Sequence, residues 1–374
     1  YRSWITERPL DRITLWGDLH PWLVTRYDDA RAVLSDPRFS SENFRPGYPG
    51  IQPTTPPRTP GQLTSMDPPD HTRLRRMLIP EFTFRRIEQL RPTIARLTSE
   101  MLDGLEAQGR SADLVEHFTL PLPLLVICEL LGVPYADREF IQKHAAAFAT
   151  VSAGPQAMRA GWGALFGYLQ ELVAAKAETP SDDLMSRLAT ERVATGEASA
   201  AEAAGVLVQL LIAGHETTAN MLSLGTIALL RHPEQLAALR ADDSLVPGAV
   251  EELLRYLTIV HIGLRRIATE DVEVGGVTIK AGEGVVVALQ AANRDPGAFN
   301  NPDTLDITRE ADRHLAFGHG LHHCLGQSLA RAELQIALPM LFERLPGLRL
   351  AKEPEEFAFE GRAVHGVERL PVMW

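Results

Sequence analysis

Apolar positions recur with helical spacing over most of residues 70–240, interrupted at Pro80, Pro134, Pro155 and Pro180. The longest such run, residues 202–230, is apolar around most of its circumference. That pattern predicts a helix buried on all sides, which at about 1.5 Å per residue would cross the body of a domain. Two-residue alternation is confined to short stretches. Residues 22–25 read as a strand, residues 272–279 as a hairpin around Gly275-Gly276, and residues 285–289 as a further strand. Residues 28–34 and 325–345 read as helices. Between residues 41 and 66, six prolines and three glycines exclude regular structure, and so long a loop is usually a lid or a linker.

The 374 residues are 45% hydrophobic and 23% charged, with a mean hydropathy of -0.07. This excludes an intrinsically disordered chain and predicts a sizeable core. Thirty-seven Lys and Arg against 48 Asp and Glu leave a formal charge of -11, the wrong sign for holding nucleic acid or anionic lipid. No apolar run reaches the length of a membrane span, and the residues from Tyr1 onward lack a secretory signal pattern, so a cytoplasmic protein is expected. Two cysteines, Cys128 and Cys324, make no disulfide framework. The chemically suggestive residues run from His71 to Cys324 without an internal repeat, and a single domain over residues 1–374 is expected.

Cys128 lies in the apolar helical stretch 124–131 and reads as core packing. Cys324 differs. The string Phe317-Gly318-His319-Gly320-Leu321-His322-His323-Cys324-Leu325-Gly326 sets it among glycines just ahead of a helical pattern. A thiolate there is favoured by free N–H groups and the positive end of the helix dipole, which suits a metal ligand. The glycines let a flat, bulky partner approach the backbone. His314, His319, His322 and His323 raise zinc as the competing metal, although a structural zinc site takes several thiolates or a regular Cys/His spacing. Inside the long buried helix, Ala213-Gly214-His215-Glu216-Thr217-Thr218 introduces an acid and hydroxyls into apolar surroundings. If Thr217 turned its hydroxyl away from the Ala213 carbonyl, the helix could open around a water.

The cysteine string matches the pattern F-x-x-G-x-x-x-C-x-G of the cytochrome P-450 family, and four further motifs are present in that family's order. On these residues the chain resembles the cytochrome P-450 family over most of its length. The resemblance implies a mainly α fold with a small β region, the family's triangular helical prism around a buried heme. It implies that heme b is held by the Cys324 thiolate, with Phe317 packed beside it and Gly318 and Gly326 in the loop. Ala213 and Gly214 would let the heme face lie against the long helix. Glu216 would relay protons from solvent, and Thr217 would hold the water that delivers them. His71 and Arg75, one turn apart, would meet the propionates with His322 and with Arg266 or its neighbour Arg265. Glu252, Arg255 and Arg309 would form the family's buried ion trio supporting the cysteine loop. Substrate contacts are expected from residues 41–66, residues 149–162, and Val260, His261, Ile262 and Gly263.

The implied activity is a monooxygenase, placing one atom of O2 into a hydrophobic small molecule such as a polyketide, terpenoid or steroid. No G-x-G-x-x-G unit follows a strand, so a ferredoxin with its NAD(P)H-dependent reductase should deliver the electrons. Between His71 and Arg96, seven arginines (73, 75, 76, 85, 86, 91 and 96) meet two acids, Glu81 and Glu88. The outward ones would dock an acidic ferredoxin. A peroxide-driven heme-thiolate enzyme and a non-catalytic heme sensor are the alternatives. The Glu216-Thr217 pair argues against the first, and the second needs neither that pair nor a long loop.

Overall fold

A computed structural model describes residues 2–16, 18–51, 58–149, 154–353, 356–359 and 364–374. Its helices in chain order are α1 (Arg2–Thr6), α2 (Tyr27–Ser35), α3 (Asp70–Leu78), α4 (Phe84–Ala107), α5 (Pro121–Leu131), α6 (Arg138–Ala149), α7 (Gly154–Glu178), α8 (Leu184–Arg187), α9 (Ala200–Arg231), α10 (Pro233–Ala241), α11 (Val246–Leu257), α12 (Leu289–Ala292) and α13 (Gln327–Arg344). The strands are β1 (Leu10–Arg12), β2 (Trp22–Val24), β3 (Phe39–Ser40), β4 (Ser111–Asp113), β5 (Leu264–Ala268), β6 (Val272–Val274), β7 (Val277–Ile279), β8 (Gly284–Val287), β9 (Arg349–Leu350) and β10 (Pro371–Met373). Helix dominates, and the β content is small.

The chain divides into two compact units. The first comprises Tyr1–Thr59, Thr64–Arg73 and Gly248–Leu325. Its five-stranded sheet runs in the order β1-β2-β8-β5-β3, with β2 and β8 parallel and the other pairs antiparallel. Val24, Phe39, Val285 and Val287 of the sheet bury against Tyr27 and Val33 of α2 and against Phe299. β5, between β8 and β3, escapes the sequence reading because Arg265 and Arg266 interrupt its alternation. The apolar stretch 285–289 is split: β8 ends at Val287, and Leu289 opens α12. The hairpin β6–β7 turns at Gly275 and Gly276, as their left-handed backbones require.

The second unit comprises Pro60–Leu63, Leu74–Pro247 and Gly326–Trp374. α9, 32 residues long, packs against α5, α7 and α13, which explains its apolar circumference. A capping box starts it: Ser199 Oγ accepts from the Glu202 amide at 3.1 Å, and Glu202 accepts from the Ser199 amide at 2.8 Å. The end of the proline-rich loop lies directly on α9, where a Cβ on Gly205 would overlap the Pro60 carbonyl oxygen. Residues 52–57 of that loop and residues 150–153 of the second expected substrate stretch lie outside the described residues. A small sheet, β4-β10-β9, completes the unit. Among the described residues no helix is long and apolar enough to cross a membrane.

Candidate functional site

Residues 315–324 of the first unit are shaped by their own backbone. Gly318 and Gly320 have φ of 71° and 70°, and a Cβ on Gly320 would collide with the Leu34 carbonyl oxygen. The Gly318 amide donates to the Leu315 carbonyl at 2.8 Å, and the Cys324 amide to the Phe317 carbonyl at 2.9 Å. Cys324 is therefore held at the end of a tight return, and it is exposed. α13 starts three residues later with Gly326 as its N-cap residue.

Cations accumulate in the same unit. His71 is fully buried, with its ring centroid 4.2 Å from that of His322. Arg266 is 5% exposed and donates through Nη1 to the Arg265 carbonyl at 2.7 Å, yet no carboxylate bridges it among the described residues. Arg265 donates to the Ile262 carbonyl at 3.3 Å. Burial pushes both guanidiniums below their ordinary value. A buried guanidinium without a bridging anion is unfavourable, so this environment is complementary to an acid the chain itself does not supply. Arg75 lies one turn after His71 on α3 and is half-buried.

Glu252 and Arg255 on α11 are both fully buried. Arg255 donates to the two Glu252 oxygens at 2.7 and 2.8 Å, and Arg309 Nε donates to Glu252 Oε1 at 3.1 Å. Arg255 also donates to the carbonyls of Asn293 and Pro302, each at 2.8 Å, and of Thr304 at 3.4 Å. Sequence reasoning missed Asn293 and read its neighbour His314 only as a zinc candidate. Asn293 Oδ1 accepts from the Leu315 amide at 2.7 Å, and its Nδ2 donates to Thr258 Oγ1 at 2.8 Å. His314 Nδ1 accepts from the Ala316 amide at 3.1 Å, which makes Nε2 the donor to Glu251, 3.2 Å away. Beyond α11, Val260 and Ile262 are half-buried and Gly263 is buried, while burial keeps the intervening His261 below its ordinary pKa.

In the second unit α9 carries Ala213, exposed, with Gly214, Glu216 and Thr217 half-buried. Thr217 Oγ1 donates to the Ala213 carbonyl at 2.6 Å, so the hydroxyl is turned onto the helix. Gly214 packs on α5, where a Cβ would sit 3.1 Å from Ile127 Cδ1. His215 is buried and its Nε2 donates to the Leu120 carbonyl at 3.0 Å, which makes it a packing residue. Cys128 is buried in α5, and desolvation pushes its thiol up to about 12. Among the described residues no three His, Cys, Asp or Glu side chains converge as a metal set.

The seven arginines are less available than their number suggests. Arg73 lies 3.5 Å from Asp70, Arg86 3.2 Å from Asp182, Arg91 3.7 Å from Glu88 and Arg96 2.7 Å from Glu100. Arg76 and Arg85 are exposed and have no acidic partner among the described residues. On the turn between them, Ile79 is 49% and Phe84 75% exposed. Arg187 anchors that turn by donating twice to Glu81 at 2.6 Å.

The cytochrome P450 sequence profile matches residues 153–353. Cytochrome P450-SU2 of Streptomyces griseolus is 50% identical over 377 residues, covering 98% of this chain and 91% of the relative. The chain belongs to the cytochrome P450 family. The pentalenic acid synthase of Streptomyces avermitilis is 49% identical over 372 residues, 98% of this chain and 92% of its own. The crystal structure of CYP105P1 in complex with filipin I superposes with a TM-score of 0.94 at 44% identity, covering 100% of this chain and 94% of that one. Cytochromes P450 are heme enzymes with a cysteine thiolate as axial ligand, and this chain is accordingly a monooxygenase that incorporates oxygen from O2. The residues present fit a heme: an exposed cysteine on a glycine-shaped return, and a buried guanidinium lacking a carboxylate bridge.

Proposed function

We propose that this cytochrome P450 hydroxylates or epoxidises a hydrophobic polyketide, terpenoid or steroid with electrons from an acidic ferredoxin and its NAD(P)H-dependent reductase. The observation that carries the reading is the exposed Cys324 thiol at the end of its loop, against the sealed, hard-to-ionise Cys128. When bound, the heme supplies the activation of dioxygen. Cys324 holds its iron, Phe317 packs beside the thiolate, and Gly318 and Gly326 keep side-chain bulk away. His71, Arg75, Arg266 and His322 donate to the propionates. Ala213 and Gly214 present a low surface on α9. Thr217 releases the Ala213 carbonyl when its hydroxyl swings off, and hydroxyl and carbonyl then hold a water between them. Glu216 brings a proton from solvent to that water. Glu252, Arg255 and Arg309 support the cysteine loop, and Val260, Ile262 and Gly263 line the substrate.

The substrate class is supported by the relatives' own names, a pentalenic acid synthase and a neighbour bound to filipin I. The ferredoxin is supported by Arg76, Arg85 and the exposed Ile79 and Phe84 on one anchored turn. The reading is tested by screening polyketides, terpenoids and steroids for a substrate-induced spin shift of the holoenzyme. Hits are then incubated with a plant-type ferredoxin, its reductase and NADPH. A ferredoxin-dependent product with one added oxygen atom is expected. Oxidation that proceeds with hydrogen peroxide but never with the ferredoxin would replace this reading by the peroxide-driven one.

A further inference from the structure

We infer that Asn293 and His314 are positioning residues that clamp the entry of the cysteine loop to α11. The inference rests on Cys324 being the heme ligand. Two successive loop amides are captured by side chains: Leu315 N–H by Asn293 Oδ1 at 2.7 Å, and Ala316 N–H by His314 Nδ1 at 3.1 Å. Each capturing residue is in turn tied to α11. Arg255 Nη1 donates to the Asn293 carbonyl at 2.8 Å, and His314 Nε2 donates to Glu251 at 3.2 Å. Asn293 is fully buried and His314 is 6% exposed, so neither bond competes freely with water.

The clamp reaches the cysteine through backbone alone. The Leu315 carbonyl accepts from Gly318, and the Phe317 carbonyl from Cys324 itself, so a shift of residues 315–317 moves the thiol. Asn293 also engages Thr258, which has a left-handed φ of 40° at the exit of α11. A β-branched residue in that conformation is strained and persists only when its surroundings hold it. One amide side chain thus holds both the end of α11 and the start of the loop, whereas the ion trio reaches the loop through it. Among the described residues the trio makes no direct hydrogen bond to residues 315–324.

The test is residue-resolved amide exchange on the heme-loaded protein, with the ferrous carbon monoxide spectrum recorded in parallel. Asn293→Ala should speed exchange of the Leu315 amide by about tenfold or more, and His314→Phe that of the Ala316 amide. Each should also convert part of the red-shifted Soret band to the blue-shifted form that lacks the thiolate. Uniform acceleration across the protein, with the Leu315 and Ala316 amides no more affected than distant ones, would overturn the clamp. If Asn293→Ala fails to fold, the unmodified protein still decides: its Leu315 and Ala316 amides should exchange as slowly as those of α11, and exchange at open-loop rates refutes the proposal. Absence of the red-shifted band from the unmodified holoprotein would instead defeat the ligand assignment, leaving the exchange result to stand by itself.

Discussion

Cys324 and Thr217 carry opposite kinds of prediction. Replacing Cys324 with Ala removes the sole exposed thiol, and the red-shifted ferrous carbon monoxide Soret band should vanish; its survival would disprove the ligand role. Thr217→Ala deletes a hydroxyl that now donates to the Ala213 carbonyl, so the fold and heme content should hold. On the proposed relay the variant loses a group that holds the water, and product formed per reducing equivalent should fall by about tenfold or more, the balance appearing as peroxide. Tightly coupled turnover would remove Thr217 from the relay. Cys324 and the Glu216-Thr217 pair stand out in the sequence because each is chemically out of place in its local pattern. Asn293 does not, and His314 does only as a zinc candidate, because their partners at Leu315, Arg255 and Glu251 come from separate stretches of chain, and such tertiary pairing leaves no local periodicity.

Element boundaries follow the strength of the periodic signal. The expected helix over 202–230 is α9, Ala200–Arg231, since a long apolar run has one stable reading. β4, β9 and β10 span two or three residues each, too short for alternation to register. α13 contains an anomaly in Glu333, which is 1% exposed and whose Oε2 has no hydrogen-bond partner among the described residues. Desolvation raises its carboxyl well above the ordinary value of 4.5. The folded chain therefore binds this proton more tightly than the unfolded chain, and unfolding releases it once the pH exceeds 4.5. Stability from this group falls as the pH rises from there towards the raised value. Glu333→Gln should raise the melting temperature by about 2 °C or more at pH 8, with a smaller gain at pH 5. An equal shift at both pH values would show that Glu333 is not titrating in the fold.

At the scale of the molecule, charge sets the approach of a partner. A chain of net charge -11 repels an acidic protein in general, so the proposed ferredoxin would need a positive spot to steer it. Counting arginines in sequence overstated that spot, because acids from elsewhere, such as Asp182 beside Arg86, neutralise several of them. Arg76→Glu with Arg85→Glu should slow ferredoxin-driven reduction by about tenfold at low ionic strength, with the deficit shrinking as salt is added. Reduction by dithionite should be unchanged. A deficit independent of salt would mean that these arginines do not steer the carrier. The division into interleaved units bears on biogenesis as well. In the five-stranded sheet Trp22 pairs with Val285 and Val24 with Val287, so a strand made early in translation waits for one made late. Its nascent edge stays uncovered until the ribosome has passed β8, and the cysteine loop emerges later still. Prosthetic-group capture is thereby deferred until β8 and the cysteine loop have both been made, and premature termination upstream of β8 leaves a fragment prone to aggregate through that unsatisfied edge.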